Sequence, residues 1–216
     1  MTLALPIDHV VVLVDDLAAA GAAFAQAGFQ VTPETRHSAA MGTANRCVML
    51  DGSYIELMGI VAETEANLTW RRLLAEGPGL RGIAFASEDI NAAAGGLARS
   101  GIAAGPVRHF SRATEAAELR FSVVRIEPDE TPGLQCLVCQ HHSRDVLWQP
   151  ALMRHPNGAT GLTGITVPQA DALTRFAVES GVTTSTGTAN LTITATTAAR
   201  YDLRDTCGLT IEMVTA

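Results

Sequence analysis

An internal repeat limits what this chain can fold into more than any other feature of the sequence. Residues 7–31, IDHVVVLVDDLAAAGAAFAQAGFQV, align without a gap with residues 80–104, LRGIAFASEDINAAAGGLARSGIAA. A third, looser copy covers residues 162–184, where the helical part is shorter. Self-similarity of this kind indicates that one supersecondary unit is built several times along the chain.

Each copy has the pattern of a strand followed by a helix. A short β-branched run predicts the strand, and acidic or polar residues after it predict a helix N-cap, at 15–16 in the first copy and 88–89 in the second. Gly28, Gly101 and Gly181 stand at the ends of the three helices, where a left-handed residue is favoured.

Further strands follow each helix. Behind the first helix are QVTPE, NRCVML and SYIELMGI, with Asp51 and Gly52 suited to a tight hairpin between the last two. LRFSVVRIEP and QCLVCQHH follow the second helix, and NLTITATTA and LTIEMVTA follow the third. The sequence therefore predicts an α+β fold of repeated βαβββ modules. We expect two modules at about 5–60 and 78–145 within a domain at 1–145, a crossover at 146–160, and a third, shortened module at 161–216.

Composition narrows the classes of partner. The chain has 216 residues, 47% of them hydrophobic, and a formal net charge of −7, with no cluster of Lys and Arg. This charge argues against a nucleic-acid groove or an anionic membrane surface. No apolar run approaches the roughly 20 residues of a membrane helix, and no basic region precedes the first strand, so we expect a cytoplasmic protein. Its partner is expected to be a small molecule or a second copy of itself.

The four cysteines are too few for a disulfide framework in a chain of this length. Cys136 and Cys139 form a C-x-x-C motif, which invites a zinc or redox interpretation. The motif lies in a predicted strand, however, where an offset of three places the two thiols on opposite faces. Packing is the favoured interpretation.

Two polar residues in apolar strands are the candidate site. His9 heads the run VVVLV, whereas the other copies have Gly82 and Gly164 at that position, so the fold does not require a histidine there. Glu56 lies within YIELMGI, where a buried carboxylate needs a cation or a metal to compensate it. The competing interpretation is structural, with His9 hydrogen-bonded to a backbone carbonyl or to Glu56.

These motifs together carry a family resemblance. Modules that begin with DHV and end with xxEL, combined with the tract W-Q-P…H-P-N-G at 148–158, resemble the vicinal oxygen chelate superfamily and its glyoxalase-like subfamily. That group includes glyoxalase I, extradiol dioxygenases and bleomycin-resistance proteins. The resemblance implies that two modules pair into a half-open curved sheet around a divalent metal. His or Glu on the first strand and Glu on the last strand of each paired module would hold the ion.

Carried over residue by residue, the resemblance assigns His9 and Glu56 as ligands in the first module. In the second module Gly82 replaces the histidine, and Gln140 stands near the carboxylate position as the third ligand. His141 or His142, just beyond it, are the alternative donors. The third module lacks the histidine but has Glu212 at its last-strand position. Zn, Ni, Mn and Fe(II) all suit mixed nitrogen and oxygen ligands.

Other residues are candidates for binding the substrate. We assign this role to His141, Trp148 and Arg46, although packing is the alternative for Trp148 and simple exposure for Arg46. The segment RHSAAMGTANR at 36–46, which contains Arg36 and His37, is expected to form the rim of a pocket.

Two functions follow from this pattern. In the first, a metal-dependent lyase or isomerase, or less readily a dioxygenase, acts on a substrate with vicinal oxygens, and Glu56 moves a proton. In the second, the same cavity sequesters a small molecule without metal or chemistry. The odd number of modules further suggests a homodimer, in which the third module pairs with its copy in a second subunit.

Overall fold

The computed structural model of the protein describes residues 3–113, 117–177 and 181–215. Its strands are β1 (Leu3–Ala4), β2 (Ile7–Val14), β3 (Thr35–Arg36), β4 (Thr43–Met49), β5 (Tyr54–Ile60), β6 (Gly79–Ala86), β7 (Arg108–Ala113), β8 (Glu118–Arg125), β9 (Gln135–His141), β10 (Ala159–Val167), β11 (Phe176–Ala177), β12 (Thr183–Thr186), β13 (Asn190–Ala195), β14 (Ala199–Leu203) and β15 (Leu209–Thr215). Its α-helices are α1 (Leu17–Gln26), α2 (Leu68–Leu74), α3 (Ile90–Arg99), α4 (Arg144–Leu147) and α5 (Arg204–Cys207). Short 3₁₀ helices cover Glu65–Asn67, Pro128–Glu130 and Ala170–Arg175.

The first two modules share one eight-stranded sheet in the order β3-β4-β5-β2-β6-β9-β8-β7. Within each module the first and last strands run parallel, β2 beside β5 and β6 beside β9. The two first strands lie antiparallel at the centre of the sheet. This arrangement confirms the predicted pair of βαβββ modules in a curved sheet.

The ends of the helices follow the predicted signals. Asp16 accepts hydrogen bonds from the backbone N–H groups of the first turn of α1, and Asp89 does the same for α3. Gly28 and Gly101 end these helices at φ 82° and 65°, a region that L side chains rarely adopt. The same local chemistry therefore begins and ends the helix of both modules.

The third module forms a separate five-stranded sheet in the order β12-β10-β13-β15-β14, and its shortened helix is the 3₁₀ segment Ala170–Arg175. Its apolar side chains pack into the same hydrophobic core as those of the first two modules. That core contains Phe24, Leu97 and Leu191, one residue from each module. Phe176 also stacks on Phe85 of β6 at 4.8 Å. Since the chain itself buries one face of this sheet, that face needs no second subunit, and the homodimer stays a prediction without that support.

Helix α2 was not predicted from the repeat. It lies between the first two modules, and its Trp70 is buried beside Gly82 of β6. Within the ranges that the structure describes, no helix has the length and apolar character needed to cross a membrane.

The strands of the large sheet present two different faces. Val10, Val12 and Val14 of β2 point into the main core, whereas Val11 belongs to a smaller cluster with Trp70 on the concave side. In β9 the same alternation places Cys136 in the core and Cys139 toward the concave side, as predicted for the C-x-x-C motif. The concave face is where the polar residues converge.

Candidate functional site

The concave face encloses a cavity of about 350 Å³. Side chains of the first module form one wall, which we call the first-module wall: His9, His37, Asn45, Cys47, Tyr54 and Glu56. Strands β7 and β8 form the opposite part, the second-module wall: Phe110, Arg112, Leu119, Phe121, Val123 and Arg125. The first wall carries most of the titratable groups, and the second is largely apolar with two arginines.

Glu56 is the centre of the first-module wall. Its Oε1 accepts a hydrogen bond of 2.6 Å from Asn45 Nδ2. Its Oε2 lies 3.6 Å from His9 Nε2, and its Oε1 lies 3.7 Å from His37 Nε2. The carboxylate, with 12% of its side chain exposed, therefore sits between two imidazoles.

Both imidazoles are held from behind through the other ring nitrogen. His9 Nδ1 donates to the Asp8 carboxylate at 2.6 Å, and His37 Nδ1 is hydrogen-bonded to Thr43 Oγ at 2.6 Å. These bonds direct both Nε2 atoms toward Glu56. Histidines that bind metals are commonly fixed in this way, because an outer partner sets the ring orientation and leaves one nitrogen for the ion.

Asp8, which sequence analysis did not assign to the site, is brought there by an irregularity in β2. The ladder between β2 and β6 shifts register between Ile7 and His9, and such a bulge re-aims side chains next to it. Asp8 is 1% exposed and also lies 3.0 Å from His141 Nε2. Burial alone would raise the pKa of Asp8, but hydrogen bonds from His141 and His9, and their charges, hold it well below its usual value.

The ladder registers also show what replaces the family's ligands in the second module. In the first module, Val11 of β2 pairs with Glu56 of β5. The repeat aligns Val11 with Ala84 of β6, and Ala84 pairs with Leu137 of β9. Leu137 is therefore the counterpart of Glu56, and Gly82 is the counterpart of His9. A Cβ atom at Gly82 would lie 2.8 Å from Trp70 Cη2. Residues without ligand atoms thus stand at both of these positions in the second module.

Gln140 does not join His9 and Glu56, contrary to the assignment made from the sequence. Its Nε2 donates to Glu88 O at 2.5 Å, and its Oε1 accepts from Ile90 N at 3.1 Å, so it lies at the start of α3. The physical reason is the alternation of β9, which turns Gln140 outward and its neighbour His141 toward the cavity. His141 is thus the residue of this tract that lines the cavity.

Arg46 and Glu212 also lie elsewhere. Arg46 Cδ lies 2.8 Å from the position of a Cβ at Gly21 in α1, and its Nη2 is 3.9 Å from Glu34, so Arg46 lies on the outer side of β4. Glu212 is exposed on the third sheet. The strand neighbour Asn45, rather than Arg46, faces the cavity.

Trp148 packs behind the lining residues. Its Nε1 donates to Leu50 O at 3.1 Å, and its ring meets Tyr54 and His141 edge-on, at 5.6 and 5.2 Å between centroids. It therefore supports two cavity residues, which agrees with the packing interpretation. Arg36 and His37 both line the cavity from the segment expected to form its rim.

Arg112 was not singled out in the sequence. Its Nε and Nη1 atoms are buried without a hydrogen-bond partner among the described residues. Burial raises the pKa of the Cys47 thiol and the Glu56 carboxylate raises it further, whereas the positive charge of Arg112 opposes both effects. Arg112 and Glu56 therefore act on the same part of the cavity from opposite walls.

A second group of potential metal ligands lies close by. Ligand atoms of Asp8, Cys139 and His141 are within 4.8 Å of one another. Burial raises the pKa of the Cys139 thiol well above its usual value, and the charges of Asp8 and Glu56 add to this. Because the thiolate is the form that binds metals, an ion bound by this group would have to displace the proton of Cys139.

Two paired βαβββ modules around a concave cavity, with a histidine on the first strand and a glutamate on the last, define a protein of the vicinal oxygen chelate superfamily. The model of the glyoxalase-like domain family matches residues 7–181. The chain belongs to this family.

Solved structures agree on the fold. A hypothetical protein from Staphylococcus aureus is similar over 99% of this chain and 100% of its own, with a TM-score of 0.75 and 13% identity. Methylmalonyl-CoA epimerase from Mycobacterium tuberculosis is similar over 68% of this chain and 95% of its own, with a TM-score of 0.52 and 21% identity. Among curated proteins, none matches the chain. At these identities the likeness concerns the fold.

Proposed function

We propose that the protein is a metal-dependent lyase or isomerase that binds a divalent ion through His9, His37 and Glu56. The observation that carries this proposal is the Glu56 carboxylate between two Nε2 atoms, at 3.6 and 3.7 Å. His9 and Glu56 occupy the family's first-module positions, and His37 takes the place that sequence analysis gave to Gln140.

The donor set fits such an ion. Two imidazoles and one carboxylate suit Zn, Ni, Mn and Fe(II), and three protein ligands leave positions for a substrate. The hydrogen bonds to Asp8 and Thr43 add outer support of the kind that metal-binding histidines require. When bound, the ion would supply a Lewis acid for two neighbouring oxygens of the substrate.

The remaining steps fall to residues of this chain. Asn45 holds Oε1 of Glu56, so Oε1 would be the atom that ligates the ion and Oε2 the oxygen that we expect to take up and return a proton. The second-module wall supplies an apolar surface, with Phe110 stacked on Phe121 at 5.5 Å, that holds the substrate and excludes water. The similar M. tuberculosis structure is a methylmalonyl-CoA epimerase, and an epimerase is an isomerase, which is in keeping with the reaction class proposed here.

The test is the metal content of protein purified without a metal-affinity tag, before and after incubation with Zn, Ni, Mn or Fe(II). We expect about one ion per wild-type chain and a loss of most of it in His9→Ala and in His37→Ala. His142→Ala is the matched control, because His142 is exposed just beyond the end of β9, where its Nε2 is hydrogen-bonded to Ser122, and its loss should leave metal content unchanged.

A sequestering protein without metal is the second candidate. The observation that favours it is that Gly82 and Leu137 stand at the ligand positions of the second module, with Trp70 packed beside Gly82. Wild-type protein that takes up none of the four ions would contradict the enzyme proposal and leave this function. Equal metal content in wild type and His37→Ala would remove His37 from the ligand set.

A further inference from the structure

We propose that Arg112 binds the carboxylate of the ligand, so that this cavity takes small organic acids with an apolar body. The inference rests on the proposed function for the reaction that follows binding, and it deepens that function by naming the substrate class. The recognition itself needs only the cavity and its second-module wall.

The first step of the argument is the state of the Arg112 side chain. Guanidinium groups are permanently charged, and a buried charged donor without an acceptor is strongly unfavourable. Two of the Arg112 nitrogens, Nε and Nη1, are buried without a partner in the described residues, although the side chain lines the cavity. An anionic group of a ligand in the cavity would compensate the charge of this guanidinium.

The other arginines of the cavity are already accounted for. Arg125 donates through Nη1 to Ala66 O at 3.3 Å and through Nη2 to Met41 Sδ at 3.6 Å. Arg36 has 75% of its side chain exposed and lies 3.9 Å from Glu34. Within the described ranges, Arg112 is thus the arginine of the cavity that combines burial with unpaired donors.

The surroundings of Arg112 indicate which anion fits. The cavity already contains the carboxylate of Glu56, and Asp8 lies behind it, so a dianionic phosphate would be repelled more than a single carboxylate. A carboxylate carries a single charge, which balances that of one guanidinium. Phe110, Leu119, Phe121 and Val123 flank Arg112 on the same wall and suit an apolar body attached to the acid.

The experiment compares three probes with one aromatic body. We would measure binding of 3-phenylpropanoate, 3-phenylpropanamide and 2-phenylethylphosphonate by calorimetry or ligand-observed NMR. The protein is the full chain, stripped of metal with EDTA and then dialysed, so that no ion can hold the acid. The variants are Arg112→Gln and the control Arg120→Gln, which removes the same charge from the exposed outer side of β8.

We expect wild type and Arg120→Gln to bind the acid at least about tenfold more tightly than the amide, and Arg112→Gln to lose this preference. Equal binding of acid and amide by wild type, or no binding of the acid at millimolar concentration, would overturn the proposal without relying on any variant. A preference that survives Arg112→Gln would also overturn it. Tighter binding of the phosphonate than of the carboxylate would overturn the assignment of the anion.

The test of carboxylate binding is independent of the test of metal binding. Metal uptake is measured without the probes, and probe binding is measured without metal, so either can fail alone. Arg112→Gln should also keep the metal content of wild type, because Arg112 is not among the proposed ligands.

Discussion

At the scale of single residues, the site depends on pairs of side chains in which one residue orients the other through a hydrogen bond. Asp8 and Thr43 orient His9 and His37, and Asn45 holds one oxygen of Glu56. Each of these partners leaves one atom of its neighbour directed into the cavity. The outer residues should therefore affect metal binding without contacting the ion.

Asp8→Asn tests this expectation. The substitution keeps the shape of the side chain but removes the negative charge that holds His9, so we expect metal affinity to fall by about 10- to 100-fold. Competition with a chelating dye would measure the affinity. Asp15→Asn is the matched control, because Asp15 is exposed just beyond β2. Equal losses in the two variants would show that Asp8 has no specific role.

His155 should make stability depend on pH. Its Nδ1 accepts from Gln30 N at 2.9 Å and its Nε2 donates to Met49 O at 2.8 Å. Burial lowers its pKa below the ordinary 6.5, and the bond to Met49 O opposes this only partly. The unfolded chain therefore takes up the proton first, so this contribution to stability is present above 6.5 and is lost as the pH falls toward the folded-state pKa.

Urea unfolding of wild type and His155→Gln would measure this effect. At about pH 7.5 we expect the variant to be less stable by about 1–3 kcal/mol, because both bonds are perturbed. At about pH 5.5 the difference should shrink, since wild type has lost the contribution of neutral His155. A difference that stays constant or grows on acidification would contradict the assignment.

At the scale of elements, the two modules have the same strands and helices but divide the cavity between them. The first module supplies the ligand-bearing wall, and the second supplies the apolar wall with Arg112. Trp70 of α2, inserted between the modules, fills the space beside Gly82 that a ligand would need. The second module therefore has neither a ligand at this position nor the room for one.

Gly82→His should not restore a symmetrical metal site. The new Cβ would lie 2.8 Å from Trp70 Cη2 and 3.0 Å from Gln135 O, and the backbone oxygen cannot move away cheaply. We expect a loss of stability of about 1–3 kcal/mol and no additional bound metal. Thermal unfolding and metal content would be measured beside Gly161→His, whose Cβ meets nothing within 4 Å. A second bound ion in Gly82→His would refute this account.

At the scale of the whole molecule, the third sheet covers the helical side of the curved sheet and shares its core. The stacked pair of Phe85 and Phe176 joins the second and third modules, and Arg175 Nη2 donates to Gly101 O at 3.1 Å. The three modules should accordingly unfold together.

Phe176→Ala tests this coupling. Removing a fully buried aromatic ring should cost about 3–5 kcal/mol while unfolding remains a single transition. Calorimetry together with circular dichroism at two wavelengths would follow the transition. Two resolved transitions, in wild type or variant, would mean that the third module folds as an independent domain.

The sequence by itself determined the repeat, and with it the modules, their helix caps and the positions of His9 and Glu56. These features are local or periodic, because a cap, a glycine terminator or a strand depends mainly on neighbouring residues. The family resemblance added the curved sheet, which the ladders confirm.

Only the tertiary structure decided which other residues reach the cavity. Ladder register decides the direction of several side chains. A bulge turns Asp8 inward, and strand alternation turns Gln140 and Arg46 outward. A loop brings His37 to Glu56. The position of Arg112 opposite Glu56 depends on the curvature of eight strands. A shift of one residue reverses the face of a side chain, so register must be known before a site can be assigned.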